Sequence, residues 1–514
     1  MSRARGACRL AVRRLLLGYA LVAVAAALWP KGLPAGERRA ARGAVPRRFG
    51  PAARPVAPRA GGAGRAGAPM SGTRGMFRLA FRVLLAGYAL VALAAALWLK
   101  GDALAALAQE PLLAGYGIAV TAYLLSRFAL SAAYRPAPPL GPGEPRPRVA
   151  VVVPALNEEA SIGATLEAAL GLRWPRELLR VVVVDDGSSD GTWERVAEVR
   201  ARNPTLAAIR FPANRGKRAA MMAGLEVAGE TDVVVFVDSD TQVAPDTLEH
   251  LLAPLVRDPR VAAVCGHAEV ANGARGLLAR MQEVRYFAAF RVFKAAESLF
   301  GMVTCASGCL SAYRRSHLAE VLPEWAAQRF LGRPATIGDD RALTTSLLRR
   351  RRVVYQSTAT CRTQVPATLG RFLRQQLRWK KSWTRESARL AAFAWRRNPI
   401  ASSAAYLSIL FQLAGPAVAL YALAWRPAVE GRDPWVYLLG LYAMALLYAL
   451  WYGILRASPR WWAGIAFPVV YLVAMLWQTW WAILTCRRTA WGTRAAVPAA
   501  GAEAAAAEPL EAAA

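Results

Sequence analysis

Apolar residues fall into two rhythms along this 514-residue chain. Long runs with few charges occupy 83–99, 112–133, about 400–425, 435–455 and 461–485. Each approaches or exceeds the roughly 20 residues that a helix needs to cross a bilayer. Between them, short apolar stretches alternate with helical patterns. RVAVVVPAL (148–156), VVVVDD (181–186), LAAIRF (206–211) and DVVVFVDSD (232–240) predict buried strands. SIGATLEAALG, TWERVAEVRAR and GKRAAMMAGLEVA predict the helices that separate them. Such alternation predicts an α/β domain with a largely parallel sheet and helices on its faces. Ligands of such sheets bind beyond the C-terminal strand ends, where Asp185, Asp186, Asp238 and Asp240 are expected.

The first membrane candidate is preceded by a near copy of itself. Residues 1–32 and 70–101 align without a gap at 23 of 32 positions, and both copies begin Met-Ser. Residues 33–69 between them are rich in Arg, Ala, Pro and Gly and read as a disordered linker. Either the first copy is an extra membrane segment or Met70 is the natural start. A signal peptide has a similar pattern, but the second copy leads into another apolar run, which favours an anchor. Arg127 is expected near a helix end or reaching for water. Arg135, Arg396 and Arg397 edge the central region and place 134–399 in the cytoplasm. Three later crossings would then export Arg487, Arg488 and Arg494, against the positive-inside rule. Either one run is re-entrant or broken, with Pro416 and Pro468 as candidate break points, or the long 400–425 run is more complicated than one span.

Composition agrees with a soluble domain joined to membrane helices: 55% of residues are hydrophobic and the formal net charge is +31. So basic a chain raises nucleic acid as a partner. The arginines are scattered beside apolar runs and no nucleic-acid fold signature appears, so that class is set aside. Cys8, Cys265, Cys305, Cys309, Cys361 and Cys486 match no zinc or haem spacing and are expected as thiols. His267 and His317 have no neighbouring ligand pattern and read as packing or surface residues.

Five polar clusters carry candidate chemistry. Asp238-Ser239-Asp240 closes an apolar strand, and two adjacent carboxylates there suit a hard divalent cation that also holds a diphosphate. Asp185-Asp186-Gly187-Ser188-Ser189-Asp190 can cap a helix and also accept a base or ribose hydrogen bond. Asn214-Arg215-Gly216-Lys217-Arg218 brings positive charge to a helix start, where Lys217 or Arg218 could meet phosphate. In Gly338-Asp339-Asp340-Arg341 a carboxylate could cap a helix or deprotonate an acceptor hydroxyl; spacing does not say which one. Gln375-Gln376-Leu377-Arg378-Trp379 lies on a basic amphipathic helix, with Leu369, Phe372, Leu373, Gln376 and Leu377 marking one face. That helix suits a membrane surface, and its indole and guanidinium also suit a sugar beside a leaving diphosphate.

Taken in order, DDGSSD, NRGKR, DSD, GDDR and QQLRW resemble the processive family 2 glycosyltransferases over roughly 112–494. That family contains the hyaluronan, chitin and cellulose synthases and the nodulation oligochitin synthases. CASGCLSAYRR (305–315), GDDRALTT, QQLRWKKSWTRES and Trp491-Gly492-Thr493-Arg494 resemble hyaluronan synthases, with Cys309 in place of a usual proline and Ala342 in place of a histidine; nodulation oligochitin synthases share much of this pattern. The GDDR motif argues against a cellulose synthase.

The resemblance implies a GT-A domain inserted between transmembrane helices, with amphipathic interface helices, and an inverting transfer. It implies Asp340 as the catalytic base. Asp186, Lys217, Asp238 and Arg378 would bind the donor. Cys305, Ser307, Gln375 and Trp379 would line the acceptor side. Asp238 and Asp240 would hold Mg²⁺ or Mn²⁺, Asp240 more closely. Expected partners are UDP-GlcNAc, UDP-GlcUA, the growing polysaccharide and the lipid bilayer, with room for an oligomer or a channel partner. The expected location is the cell membrane, multi-pass, with the catalytic domain cytoplasmic. The expected divisions are 1–69 (repeat and linker), 70–134 (first membrane pair), 135–350 (catalytic), 351–399 (interface helices), 400–485 (membrane region) and 486–514 (tail). A single-sugar synthase of chitin type and a non-catalytic scaffold are the competing readings.

Overall fold

The computed structural model describes residues 110–487 and a few isolated positions between 79 and 94. The N-terminal repeat and linker, most of the 83–99 run and the Trp491–Arg494 motif lie outside the described residues.

Helix α1 (Pro111–Ala133) leads into a mixed sheet of eight strands. The strands are β1 (Val149–Ala155), β2 (Leu179–Asp185), β3 (Leu206–Arg210), β4 (Val233–Phe236), β5 (Thr241–Val243), β6 (Val261–Val270), β7 (Ser311–Arg314) and, after the small ribbon β8 (Arg329–Phe330) and β9 (Arg333–Pro334), β10 (Arg352–Thr363). Their spatial order is β3-β2-β1-β4-β7-β6-β10-β5. The first four are parallel neighbours, as the alternating pattern predicts. The valines of β1, β2 and β4 are buried on both faces, each worth about 1.5–3 kcal/mol on burial. Helices α2 (Ile162–Leu170), α3 (Thr192–Arg202) and α4 (Lys217–Ala228) connect them.

The other half departs from a parallel sheet. β7 runs antiparallel to both β4 and β6, and β5 antiparallel to β10. This reversal matters for the site. Ser311 opens β7 opposite Phe236, which closes β4, so loop 305–310 arrives beside Asp238. Thr363 closes β10 opposite Thr241, so it arrives beside Asp240. Because Arg352–Thr363 pairs with β6 and β5, the α/β sheet extends past 350, where the sequence had placed the interface helices. The result is the GT-A-like architecture that the motif set implied.

Helices α5 (Leu277–Ala288), α6 (Asp339–Leu348) and α7 (Leu369–Ala391) pack around the C-terminal strand ends. Then come α8 (Pro399–Leu420) and α9 (Trp435–Arg456). Among the described residues, Pro111–Ala133, Pro399–Glu430 and Trp435–Arg456 are long and apolar enough to cross a membrane. A fourth unit, Trp461–Met475 with Gln478–Leu484, is bent by 46°. The break falls at Leu476 and Trp477, after Pro468 and not at it. Pro416 does not break α8 either; the helix runs through it and widens to a π-type coil over Tyr421–Glu430. Arg127 corrects the expectation that it reaches water or a helix end. It is buried, bonded to Ser126 Oγ at 3.3 and 3.2 Å, with its guanidinium 5.1 Å from the Tyr123 ring.

Candidate active site

The loops after β1, β2 and β4 build one wall of a cavity of about 580 Å³. After β1, Asn157 takes a left-handed conformation (φ 54°), which its short polar side chain tolerates. Its amide donates to Ser188 Oγ at 2.9 Å and its Oδ1 accepts from Ser189 N at 2.9 Å. The two loops are thereby tied together.

The paired aspartates after β2 have different roles. Asp185 is fully buried and accepts from Ser188 N at 3.0 Å, closing its own turn. Asp186 lines the cavity and accepts from Arg215 N at 2.7 Å and Gly216 N at 3.1 Å. Gly187 has φ +72°, and a Cβ there would lie 2.5 Å from the Ala213 carbonyl carbon, so the turn admits only glycine.

Lys217 opens α4 and its ammonium pairs with Asp238 Oδ1. Burial opposes that charge, but Asp238, Asp340 and Asp339 outweigh it and raise the lysine above its ordinary pKa. Asp240 is in the reverse situation. Burial pushes its carboxyl up to about 6, with Asp238 and Glu158 adding like charge. Hydroxyls of Thr241 and Thr363, each at 3.2 Å, offset only part of that.

The opposite wall is α7. Arg371, Arg374, Gln375 and Arg378 line the cavity at i, i+3, i+4 and i+7, one helical face. Among the described residues Gln375 Oε1 is buried without a hydrogen-bond partner. Trp379 is not among the lining residues; it is 42% exposed, with its ring 6.4 Å from that of Tyr286.

The structure distinguishes the two aspartates of GDDR, as spacing does not. Asp339 is buried and bonded to Arg218 Nε at 2.9 Å; Arg218 also lies 4.6 Å from the Trp325 ring. Arg218 therefore serves packing, not a phosphate. Asp340 Oδ2 meets Gly308 N at 3.3 Å and Cys305 Sγ at 3.6 Å. Cys305 is pushed up to about 12 by burial and by Asp340, so it remains a thiol. Ser307 donates its amide toward Cys265 Sγ at 3.4 Å. Gly338 (φ +74°) sets α6 hard against α7: a Cβ there would overlap Ser382 Oγ at 1.8 Å. Arg218→Met should leave Asp339 buried and unpaired. It is expected to cost about 3–5 kcal/mol, read as a lowered thermal midpoint.

Asp186, Lys217, Asp238, Asp240, Gln375 and Arg378 thus share one cavity. Cys305, Ser307 and Asp340 lie together in the adjoining layer. Sequence reading missed Arg371 and Arg374, although their helical spacing from Arg378 was legible. It also missed Glu158, just past the end of β1, and Thr363, which reaches the site only through sheet register. His267 is buried, with Nδ1 bonded to Tyr355 Oη at 2.7 Å, a packing role.

Residues 150–322 match the family model described as glycosyl transferase family 2. A hyaluronan synthase of Streptococcus pyogenes is 39% identical over 279 residues, 53% of this chain and 65% of that one. An N-acetylglucosaminyltransferase of Rhizobium meliloti is 40% identical over 248 residues, 47% of this chain and 57% of that one. The chain therefore spans less than two thirds of the curated relatives named here. Among solved structures, a mannosyltransferase from Pyrobaculum calidifontis in complex with GDP-Man and Mn2+ aligns with a TM-score of 0.49 and 23% identity. That alignment covers 72% of this chain and 98% of the other.

Proposed function

We propose that this chain, whose residues 150–322 form a family 2 glycosyltransferase domain, is a membrane-embedded enzyme that transfers sugars from UDP donors onto a growing glycan. One observation carries the reading. A single cavity joins a nucleotide-side carboxylate (Asp186), the acidic pair Asp238 and Asp240, and cationic side chains from two helices. Its volume lies within the ordinary range of small-ligand sites.

Asp186 is assigned to the uracil or ribose. Lys217, Arg371, Arg374 and Arg378 face the diphosphate. Asp340 accepts the proton of the acceptor hydroxyl while that oxygen attacks the anomeric carbon from the face opposite the diphosphate. The bond from the anomeric carbon to the diphosphate oxygen breaks, the configuration inverts and UDP departs with the electron pair.

The residues fit a divalent cation. Asp238 is neutralised by Lys217, while Asp240 sits among like charges with only hydroxyls bonded to it among the described residues. Among the described residues no group of three or more His, Cys, Asp or Glu side chains could hold an ion. The aspartates would therefore share it with the donor diphosphate. When bound, Mg²⁺ or Mn²⁺ offsets charge that builds on the leaving diphosphate.

The catalytic domain is assigned to the cytoplasm, where nucleotide sugars reside. Contacts of the bent C-terminal unit support this. Arg460 at its start pairs with Glu283 of α5, Met475 packs on Met281 and Phe372, and Gln478 bonds Leu373. These contacts keep the unit against the α/β side, so Arg487 need not be exported.

Within the family, hyaluronan is the preferred product, made from UDP-GlcNAc and UDP-GlcUA. The longer match to the streptococcal enzyme and the motif details at 305–315, 338–345 and 375–387 favour it. Chitin oligosaccharide synthesis is the alternative, favoured by the 40% identity to the rhizobial enzyme. Radiolabel incorporation by membranes given UDP-GlcNAc, UDP-GlcUA or both decides between them. Hyaluronidase-sensitive polymer is expected only with both donors; polymer from UDP-GlcNAc alone would replace hyaluronan with the chitin-type reading.

A further inference from the structure

Helix α7 holds two opposed faces in place. Arg371, Arg374, Gln375 and Arg378 look into the donor cavity. At about 100° per residue, Leu373 and Lys380 lie on roughly the opposite side of the helix. That side is fastened to the C-terminal unit at its bend. Lys380 Nζ donates to the Met475 carbonyl at 2.7 Å and to Thr479 Oγ1 at 3.1 Å. Gln478 Nε2 donates to the Leu373 carbonyl at 3.1 Å. Phe372 packs with Met281 and Met475 beside these bonds.

The bend explains why a donor is needed there. Where a helix breaks, the last carbonyls lose their amide partners. Met475 is the last residue before the break, and its carbonyl is received by the Lys380 ammonium. Burial and the nearby Arg285 hold this lysine down to about 8, yet among the described residues no carboxylate pairs with it. A charge placed at that cost against neutral oxygens has a positional use.

We propose that Lys380 is a positioning residue, clamping the bend of the C-terminal membrane unit to the back of α7 and so setting how closely the arginine face approaches the donor diphosphate. The inference rests on reading the cavity as the UDP-sugar site. It adds that bilayer-side geometry is transmitted to donor binding chiefly through a side chain that touches no substrate.

The test uses the full chain in lipid nanodiscs with Mn²⁺. UDP binding is measured by calorimetry, and donor KM and kcat by UDP release. Lys380→Met keeps length and apolar packing but removes the donor; Lys380→Arg keeps donors. In Lys380→Met, UDP Kd and donor KM are expected to rise about tenfold, the size of a lost charge-assisted hydrogen bond, with kcat changed by less than about threefold. Lys380→Arg should restore most of that affinity, and Gln478→Leu should shift it the same way by less. Thr479→Val probes the same contact from the other side if Lys380→Met does not fold. Unchanged UDP affinity in the folded Lys380→Met variant, or a Lys380→Arg variant no better than it, overturns the clamp and leaves the donor site standing. A wild-type chain that binds no UDP overturns the donor-site reading, and the clamp with it.

Discussion

Asp340→Asn is expected to lower sugar transfer by about a thousandfold while UDP affinity stays within about threefold of wild type. Asparagine has the same shape, and Asp340 Oδ1 also accepts from Arg341 N at 2.8 Å, so the helix start keeps its local bond. What disappears is a base able to take the acceptor proton. Asp339→Asn provides the contrast, since Asp339 holds Arg218 and its loss should appear mainly as reduced stability. Donor turnover followed by UDP release, beside calorimetric UDP binding, separates the two. An Asp340→Asn variant retaining a tenth of wild-type transfer would remove Asp340 from the role of base. Wild-type membranes that made no polymer from any donor would instead revive the scaffold reading.

Asp240→Asn is expected to weaken Mn²⁺-dependent transfer about a hundredfold or more, because the cation loses its better-placed carboxylate. Here pH gives an independent signature. The Asp240 carboxyl is pushed up to about 6, mainly by burial, so in the free protein a proton competes with the cation. As pH falls through about 6 the carboxylate is protonated and Mn²⁺ affinity should drop; above that pH it should level off. Titrating Mn²⁺ at several pH values, with UDP absent, reads this directly. The Asp240→Asn variant should bind weakly at every pH, without the acid limb. A wild-type Mn²⁺ affinity that is flat from about one pH unit below that value to two above it would exclude Asp240 as the pH-sensitive ligand.

Much of this site was legible because it is built from strand ends. An apolar strand followed by DD or DSD needs no partner information: burial of the valines fixes the strand, and the chain must present its next residues at the sheet's edge. Arg371 and Arg374 were equally legible from helical spacing, had the polar face of α7 been followed with the apolar one. The division of work within DD and GDDR was not. Asp185 against Asp186, and Asp339 against Asp340, are adjacent residues of one type. Only their neighbours distinguish them: Ser188 against the cavity in the first pair, Arg218 against Gly308 and Cys305 in the second.

The sequence by itself determined the α/β class, the long apolar helices around it and the acidic and basic clusters at the strand ends. These follow from local periodicity and from the cost of burying charge. Tertiary structure alone decided the reversed strand β7, which brings loop 305–310 from Asp340 to Asp238. It also decided the pairing that sets Thr363 beside Asp240, and the bend at Leu476 and Trp477 that meets Lys380. Strand direction, register and helix docking depend on contacts between residues distant in the chain. No local pattern encodes those contacts, because each is chosen by the surface that another segment offers.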